Sequence, residues 1–581
     1  MTTARVIKQR NINNDTLANF DHLHPVLARI FVGRGVTDQK ELATGLNQLL
    51  PYQSLLGIDA AVACIVHALH TQQRILIVGD FDADGATSTT IAMLALAQFG
   101  AEYIDFLVPN RFEYGYGLTP EIVEVALQHN PDLIITVDNG ITSIEGVALA
   151  KSKGLSVIIT DHHLACEELP AADAIVNPNQ PNDQFQSKQL AGCGVIFYVM
   201  LAVRAELRKQ NWFATRNIKE PNLAELLDIV ALGTVADLVP LDRNNRILVS
   251  QGLARIKAGK CRPGIQALIQ IANRQLSYTQ TSDLAFAVAP RLNAAGRLTD
   301  MSIGIACLLA ETMPEAMRFA NQLDSLNKER REIEATMSQQ AFVAVQNLHI
   351  LSEQTLLAIT LYDPNWHQGI IGIVAGRIKE RMHRPVIAFA KVSDDELKGS
   401  ARSIPGLHIR DALDVVAKRY PQLIHKFGGH AMAAGLSLPL KNLDQFKIAF
   451  STVIEELLLP DDLKSVVYSD GILANNELTL TMAEQVKYAS PWGQAFPEPI
   501  FDGIFDIVEQ RLLQGKHLKL RLALPNTQRS VDAIYFNIDA KQWPNHKISR
   551  AKIAYRLDIN RYGGHINLQL MVEYIEVITE E

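Results

Sequence analysis

After residue 70 the chain alternates short apolar runs with longer amphipathic ones. Arg74-Ile75-Leu76-Ile77-Val78 is a β-branched run closed by Gly79, the pattern of a strand buried on both faces. STTIAMLALAQFG then reads as a helix, IDFLVP as a strand, EIVEVALQ as a helix, DLIITVD as a strand, VALAKSKG as a helix and LSVIITD as a strand. Alternation at this spacing predicts βαβ units and a doubly wound parallel sheet. From about 313 to 348, Phe319, Leu323, Leu326, Ile333, Met337, Ala341 and Leu348 recur at spacings built from three and four, with Pro314 near the first turn. That pattern predicts one long amphipathic connector helix. A second α/β block runs from about 355 to 455, with LLAITL and PVIAFAK as strands. Beyond about 460, His517-Leu518-Lys519-Leu520-Arg521-Leu522 alternates as a strand does, and the segment reads as a small, mostly β module. Residues 1–70 read as helical and polar.

Composition narrows the class. A length of 581 residues points to two to four domains. With 48% hydrophobic and 20% charged residues, disorder, collagen and coiled-coil rods are excluded as the main architecture. The formal charge of −7 gives no global sign of a nucleic-acid partner, but residues 511–561 hold eleven Lys/Arg against three Asp/Glu. Five cysteines without a C-x-x-C pair argue against a disulfide framework or a thiolate zinc site and fit a reducing compartment. The N-terminus lacks the apolar stretch of a signal peptide, and no run of 18 or more apolar residues occurs, so a soluble cytoplasmic protein is expected.

The chemistry concentrates behind the strands. Asp80-Phe81-Asp82-Ala83-Asp84-Gly85 sets three carboxylates at alternate positions straight after a strand, where they share one side. Like charges so placed are costly unless a cation neutralises them. A helix N-cap with a solvated acidic turn explains the same residues, with Gly85 permitting a tight turn. Asp138 follows the next such strand, Asp161-His162-His163 the one after, and Asp237 the apolar LLDIVALGTVA. Singly, Asp138 reads as a turn residue and His162 as a satisfied core histidine; four such sites at strand ends of one sheet argue for a shared site. Oxygen ligands with one imidazole suit Mn²⁺ or Mg²⁺ rather than structural zinc.

GDFDADG, VDNG, TDHH and GTVADLVPL stand in the order of the four motifs of the DHH phosphoesterases. PNRFEYGYGL, RLNAAGRL, HQGIIGIVAGR, SARS and FGGHAMAAG resemble, within them, the RecJ exonucleases, over nearly the whole chain. The resemblance implies an α/β fold: an N-terminal helical extension (1–70), a doubly wound DHH catalytic domain (71–310), a connector helix (311–350), a DHHA1-type α/β domain (351–458) and an OB-like β-barrel (459–581). It implies a metal-dependent exodeoxyribonuclease, specific for single-stranded DNA, that works 5′ to 3′ and releases 5′-mononucleotides in recombination and repair. Two divalent cations, Mn²⁺ or Mg²⁺, are expected, one on Asp82, Asp84 and Asp138 and the other on Asp84, Asp138, His162 and Asp237. His163 would contact the scissile phosphate. Several DHH enzymes carry a histidine four residues before the Asp82 position; here that residue is Val78, and Asp80 or water is left to complete the shell.

By the same resemblance Arg111, Arg291, Ser400 and Arg402 hold the 5′ phosphate or the first nucleotides, and Gly428-Gly429-His430 lets the backbone approach the strand, with His430 donating a hydrogen bond. Arg297 lies in the same motifs. The basic C-terminal segment fits tracking of a phosphate backbone. Its aromatics Tyr535, Phe536, Trp543, Tyr555 and Tyr562 read equally as base-stacking platforms or barrel core. Single-stranded DNA is the expected partner, with single-strand-binding protein and a RecQ-type helicase beside it, no membrane, and a monomeric chain. A DHH phosphodiesterase acting on short oligonucleotides or cyclic dinucleotides is the alternative enzyme, and a catalytically dead DNA-binding scaffold the alternative class.

Overall fold

A computed structural model describes residues 5–110, 116–351, 356–538, 543–561 and 564–578. They fall into two units, one of residues 1–11, 328–485 and 499–581, the other of residues 12–327 and 486–498. The chain starts in the first with β1 (Arg5–Gln9).

The other unit is built on a five-stranded parallel sheet: β2 (Ile75–Gly79), β3 (Ile104–Leu107), β4 (Leu133–Val137), β5 (Ser156–Thr160) and β6 (Ala174–Val176), in the order β3-β2-β4-β5-β6. β2 and β4 are buried at every position, as strands covered by helices on both faces must be. On one face Leu76, Val78, Ile134, Val157 and Ile159 pack with Ile122, Val123, Val147 and Ala150 from the crossover helices. The helix Ala83–Phe99 leaves β2, and Gly192–Lys209 and Leu227–Ala236 pack against it. Asp237 therefore ends a helix rather than a strand. A ten-residue run broken only by Asp228 and Thr234 carries no clear period to tell the two apart, and its burial from Leu227 to Val235 is complete. Gly85 is helical too; a Cβ there would strike the Asp80 carbonyl, so the residue is small for close approach and not for a turn.

The predicted connector helix is observed as Met313–Leu351, 39 residues long. Ala316, Ala320, Leu323, Met337, Ala341 and Val345 are buried apolar positions of it, and Asn327, Arg330 and Glu334 are buried polar ones. In the first unit follow β7 (Ile359–Tyr362), β8 (Val386–Lys391), β9 (Glu396–Arg402), β10 (Lys426–Gly429) and β11 (Ala433–Pro439), in one mixed sheet of order β10-β11-β9-β8-β7. Glu334 of the connector takes Arg330 at 2.7 Å and Arg377 at 3.0 Å. After β12 (Ser465–Ser469), the strands β13 (Phe501–Leu513), β14 (His517–Ala523), β15 (Ser530–Tyr535), β16 (Arg550–Asn560) and β17 (Asn567–Val577) close a barrel. Tyr555 is barrel core, edge-on to Phe505, and Trp543 is buried as well. Phe536 is 44% exposed and lies edge-on to His517. Tyr562 lies outside the described residues.

The reading of 1–70 as wholly helical misses β1, which pairs in parallel with β12 from Arg5↔Ser465 to Gln9↔Ser469. Five residues carry too little periodicity to announce a strand whose partner is so distant in sequence. The pairing is reinforced by polar contacts at its end. Gln9 and Ser469 donate to the buried Asp502 at 3.1 and 2.5 Å, and Arg10 lies 3.5 Å from the buried Asp470. Removal of residues 1–11 is expected to lower the melting temperature and to speed tryptic cleavage at Lys464, read by limited proteolysis with mass spectrometry. Unchanged cleavage would show β1 to be dispensable.

Candidate active site

The order of the parallel sheet reverses between β2 and β4, because the chain goes outward to β3 and crosses back to β4. Connections leaving in opposite directions open a crevice beyond the strands' carboxyl ends. The 80–84 segment leaves β2 there, Asp138 leaves β4 beside it, and Asp161-His162-His163 leave β5 next in line. Each acid is turned inward by local backbone. Asp138 sits in the left-handed region at φ 62°, its N–H bonded to the Thr160 carbonyl at 3.0 Å. Non-glycine residues persist there, at a cost on the order of 1–3 kcal/mol, only where neighbours over-determine them. Asn139 supplies that constraint, donating from Nδ2 to the carbonyls of Val78 and Val137 at 3.0 and 2.9 Å.

Asp82 is both cap and cluster member. Its Oδ1 accepts from the N–H groups of Asp84 and Gly85 at 2.8 and 3.1 Å, so the helix-cap reading holds. The carboxylate also groups with Asp80 and Asp138 within 4.8 Å. Asp84 accepts from Gly192 N–H (Oδ2, 2.6 Å) and Cys193 N–H (Oδ1, 3.0 Å) at the start of the helix Gly192–Lys209. His162 Nε2 lies 3.1 Å from Asp138 Oδ1, 3.5 Å from Asp237 Oδ2 and 3.9 Å from Asp84 Oδ2. The predicted set Asp82, Asp84, Asp138, His162 and Asp237 is thus brought together, and Asp80 joins it. Val78 is a buried strand residue of β2.

The donor set fits a cation. Burial and then the charge of Asp82 push the Asp84 carboxyl up to about 6. Burial and the neighbouring acids likewise hold Asp138 and Asp237 well above the ordinary carboxylate range. Asp138 Oδ1 is buried and accepts no hydrogen bond, an acceptor that a cation satisfies. Asp161 behaves oppositely: burial pushes it up, but His163 and the amides of Ile141, His162 and His163 outweigh that and hold it at about 2. It carries His163 through Nδ1 at 2.7 Å. Tyr116 Oη reaches the same ring nitrogen at 3.1 Å and the Asp138 carbonyl at 3.2 Å.

The cation-bearing candidates divide. Arg291 is 15% exposed and engaged, pairing with Asp324 at 2.8 Å and donating to the Ala287 carbonyl at 2.5 Å. The same helix supplies Asn293, whose Oδ1 accepts the Ala83 N–H at 2.8 Å. Arg111 lies outside the described residues. In the first unit, Arg402 donates to Ser400 Oγ at 3.1 Å and to the Ala401 carbonyl at 2.8 Å. Burial depresses its pKa, and no carboxylate pairs with it among the described residues. A Cβ on Gly372, in the first turn of the helix Ile371–Met382, would lie 2.8 Å from Arg402 and 2.9 Å from Ser400. The Arg402 guanidinium and the Ser400 hydroxyl therefore lie against the bare Cα of Gly372, a grouping of donors suited to an anionic oxygen group. Across the sheet Gly428, Gly435 and Ser400 stand in one row, and His430 is exposed beyond β10.

Three residues in these contacts carry no sequence signal of their own role. Tyr116 lies in a recognisable motif but without an acid or base beside it in sequence. Gly192 and Cys193 precede an apolar helix, a pattern that marks a helix start and nothing more.

Comparison with known proteins agrees with this geometry. Residues 74–234 match the DHH family N-terminal domain, 353–456 the DHHA1 domain and 469–574 the RecJ OB domain. The chain is 52% identical to the single-stranded-DNA-specific exonuclease RecJ of Dickeya dadantii, covering 96% of each protein. It is 51% identical to that of Escherichia coli over 95% of this chain and 96% of the relative. The crystal structure of RecJ in complex with Mn²⁺ from Thermus thermophilus matches with a TM-score of 0.81 at 28% identity, covering 99% of this chain and 80% of that one. Identity of one residue in two over nearly full length settles the relationship: the chain belongs to the RecJ family of single-stranded-DNA-specific exonucleases.

Proposed function

We propose that this chain is a metal-dependent exonuclease that hydrolyses single-stranded DNA from the 5′ end, releasing 5′-mononucleotides, in recombination and repair. One observation carries the reading: Asp84, Asp138, His162 and Asp237, from four separate segments, meet with 3.1–3.9 Å between the imidazole and the acids at the sheet's switch point. Asp80, Asp82, Asp84 and Asp138 would hold one divalent cation, and Asp84, Asp138, His162 and Asp237 the other. When bound, such a pair supplies Lewis acidity that acidifies water and neutralises a phosphodiester. Mn²⁺ and Mg²⁺ both suit this oxygen-rich set.

The chain's own groups do the rest. Asp161 holds His163 by its Nδ1 and so orients the ring, which would meet a non-bridging phosphate oxygen. Arg402 and Ser400 receive the 5′ phosphate, and His430 with the bare glycine row lets the following backbone lie close. Arg291 braces the helix that holds the 80–84 segment, and Arg111 remains a candidate contact to the first nucleotides. Phe536, with His517, offers a stacking face on the barrel, beside the basic residues of 511–561. The working setting is the cytoplasm, as a monomer, with single-strand-binding protein and a RecQ-type helicase as partners. No single helix among the described residues is long and apolar enough to cross a membrane.

Asp138→Ala is expected to reduce Mn²⁺-dependent digestion of 5′-phosphorylated single strands to background with an unchanged circular dichroism spectrum; retained digestion would refute the ligand assignment. Arg402→Met is expected to weaken binding of a 5′-phosphorylated oligonucleotide by about tenfold or more. The same change should leave the melting temperature unchanged or raised, since it removes a buried charge. Equal affinity for phosphorylated and unphosphorylated ends in the native chain would count against this assignment.

Metal uptake must displace protons from the raised carboxyls. Their folded pKa values, about 6 for Asp84, exceed an unfolded value of about 4. In that window the folded metal-free protein binds more protons than the unfolded chain, so the cluster's contribution to stability is present at low pH and lost as pH rises. The increase in melting temperature on adding Mn²⁺ is therefore expected to be larger at pH 7.5 than at pH 5.5. An increment independent of pH would mean that these acids are not the ligands.

A further inference from the structure

Helix Gly192–Lys209 lies outside the four motif segments, yet its first turn touches two of the acids they supply. The N–H groups of Gly192 and Cys193 reach both oxygens of Asp84, at 2.6 and 3.0 Å. These are amides of the helix's first turn, which have no carbonyl partner within the helix and point along its positive end. The absent side chain of Gly192 leaves room for Asp138. A Cβ there would lie 2.6 Å from the Asp138 Cβ, 2.7 Å from its Oδ1 and 2.8 Å from its Cγ. A third contact closes the back. Gly233, four residues before Asp237, has Thr87 Oγ1, Cys193 Sγ and Asp84 Oδ1 where its Cβ would be, the last two at 2.6 and 3.0 Å.

We propose that Gly192 and Cys193 are the positioning residues of the metal centre. Their amides clamp Asp84 in one orientation, and the empty volume at Gly192 fixes the register of Asp138 against it, so that the two acids shared between the cations stand at a set separation. This inference rests on the two-cation reading above. A carboxylate free to rotate in a cluster of like charges would turn away from its neighbours. Two amide donors on its two oxygens hold it in place and offset part of the repulsion before any cation arrives. Gly233 then admits the helix that carries Asp237 at the distance this pair requires. Three ligands from three motifs are thus registered by two glycines and two backbone donors.

The test is Mn²⁺ binding to the full chain, followed by electron paramagnetic resonance of free Mn²⁺ and by calorimetry, without substrate. The native chain should bind two ions; failure there would refute the two-cation reading and leave the clamp without an object. With native binding established, Gly192→Ala should weaken Mn²⁺ affinity by about 10–100-fold, the range for a lost ligand-orienting partner. Gly194→Ala, in the same turn but facing Leu190, should keep native affinity. Cys193→Pro removes one clamp donor without costing the helix a hydrogen bond, since proline is tolerated in the first turn and Gly192 relieves the constraint on the preceding residue. It should also weaken Mn²⁺ binding, and by more than Cys193→Ala, which loses the same buried thiol contacts to Val230 and Thr234 but keeps the amide. A purely structural role would lower the metal-free melting temperature and spare affinity. Native Mn²⁺ affinity in both Gly192→Ala and Cys193→Pro would overturn the proposal.

Discussion

The mutual repulsion of buried carboxylates at the carboxyl edge of one parallel sheet governs the rest of the catalytic unit. Two unit charges 4 Å apart interact by about 4 kcal/mol at an effective dielectric of 20, and several such pairs coexist here. No arrangement of water can screen groups as buried as Asp84 and Asp138. The chain answers with fixed dipoles: amides from a helix start on Asp84, and on Asp82 amides of the helix that it caps. Holding those dipoles still requires a rigid support. The fully buried strands β2 and β4, and the Asn139 bridge between their ends, provide it. The apolar core of the sheet is in this sense part of the site, because the strained φ of Asp138 survives only where packing leaves it no alternative.

The other unit presents the reverse case. Arg402 donates to a hydroxyl and a carbonyl, no carboxylate pairs with it among the described residues, and burial depresses its pKa. A protein selected for stability alone would place a carboxylate there or lose the charge. Each unit therefore concentrates charge of one sign, buried carboxylates in one and a partly buried guanidinium in the other.

Much of this was legible in the sequence because the buried strands are short apolar runs with the acids directly behind them. That pattern sets the 80–84 segment, Asp138 and His162 directly behind strands, where they stand, and the repeat of three and four marks the connector helix. What the sequence could not show has specific causes. Asp237 follows a run broken only by Asp228 and Thr234, so helix and strand look alike until packing decides. β1 is five residues long and gains its conformation from β12, on the far side of the chain in sequence. Arg291 belongs to a motif that implies contact with DNA, and nothing in the sequence announces its pairing with Asp324 and the Ala287 carbonyl. Backbone donors such as those of Gly192 and Cys193 are invisible in principle, since every residue but proline has one.

Asp82 shows why the structural and the functional explanation of a residue need not compete. A helix cap uses one carboxylate oxygen as acceptor, and the Oδ1 of Asp82 takes both cap bonds. The carboxylate keeps further lone pairs and its full charge, and the cap geometry itself turns it toward Asp80 and Asp138. The same holds for Asp84, whose amide contacts satisfy one lone pair on each oxygen and aim the others. Capping in both cases does the orienting that a ligand needs, with no residue spent solely on it. A site assembled from segments as distant as 80–84, 138, 162 and 237 is held in register by such doubled roles, because each ligand is fixed first by the secondary structure it begins or ends.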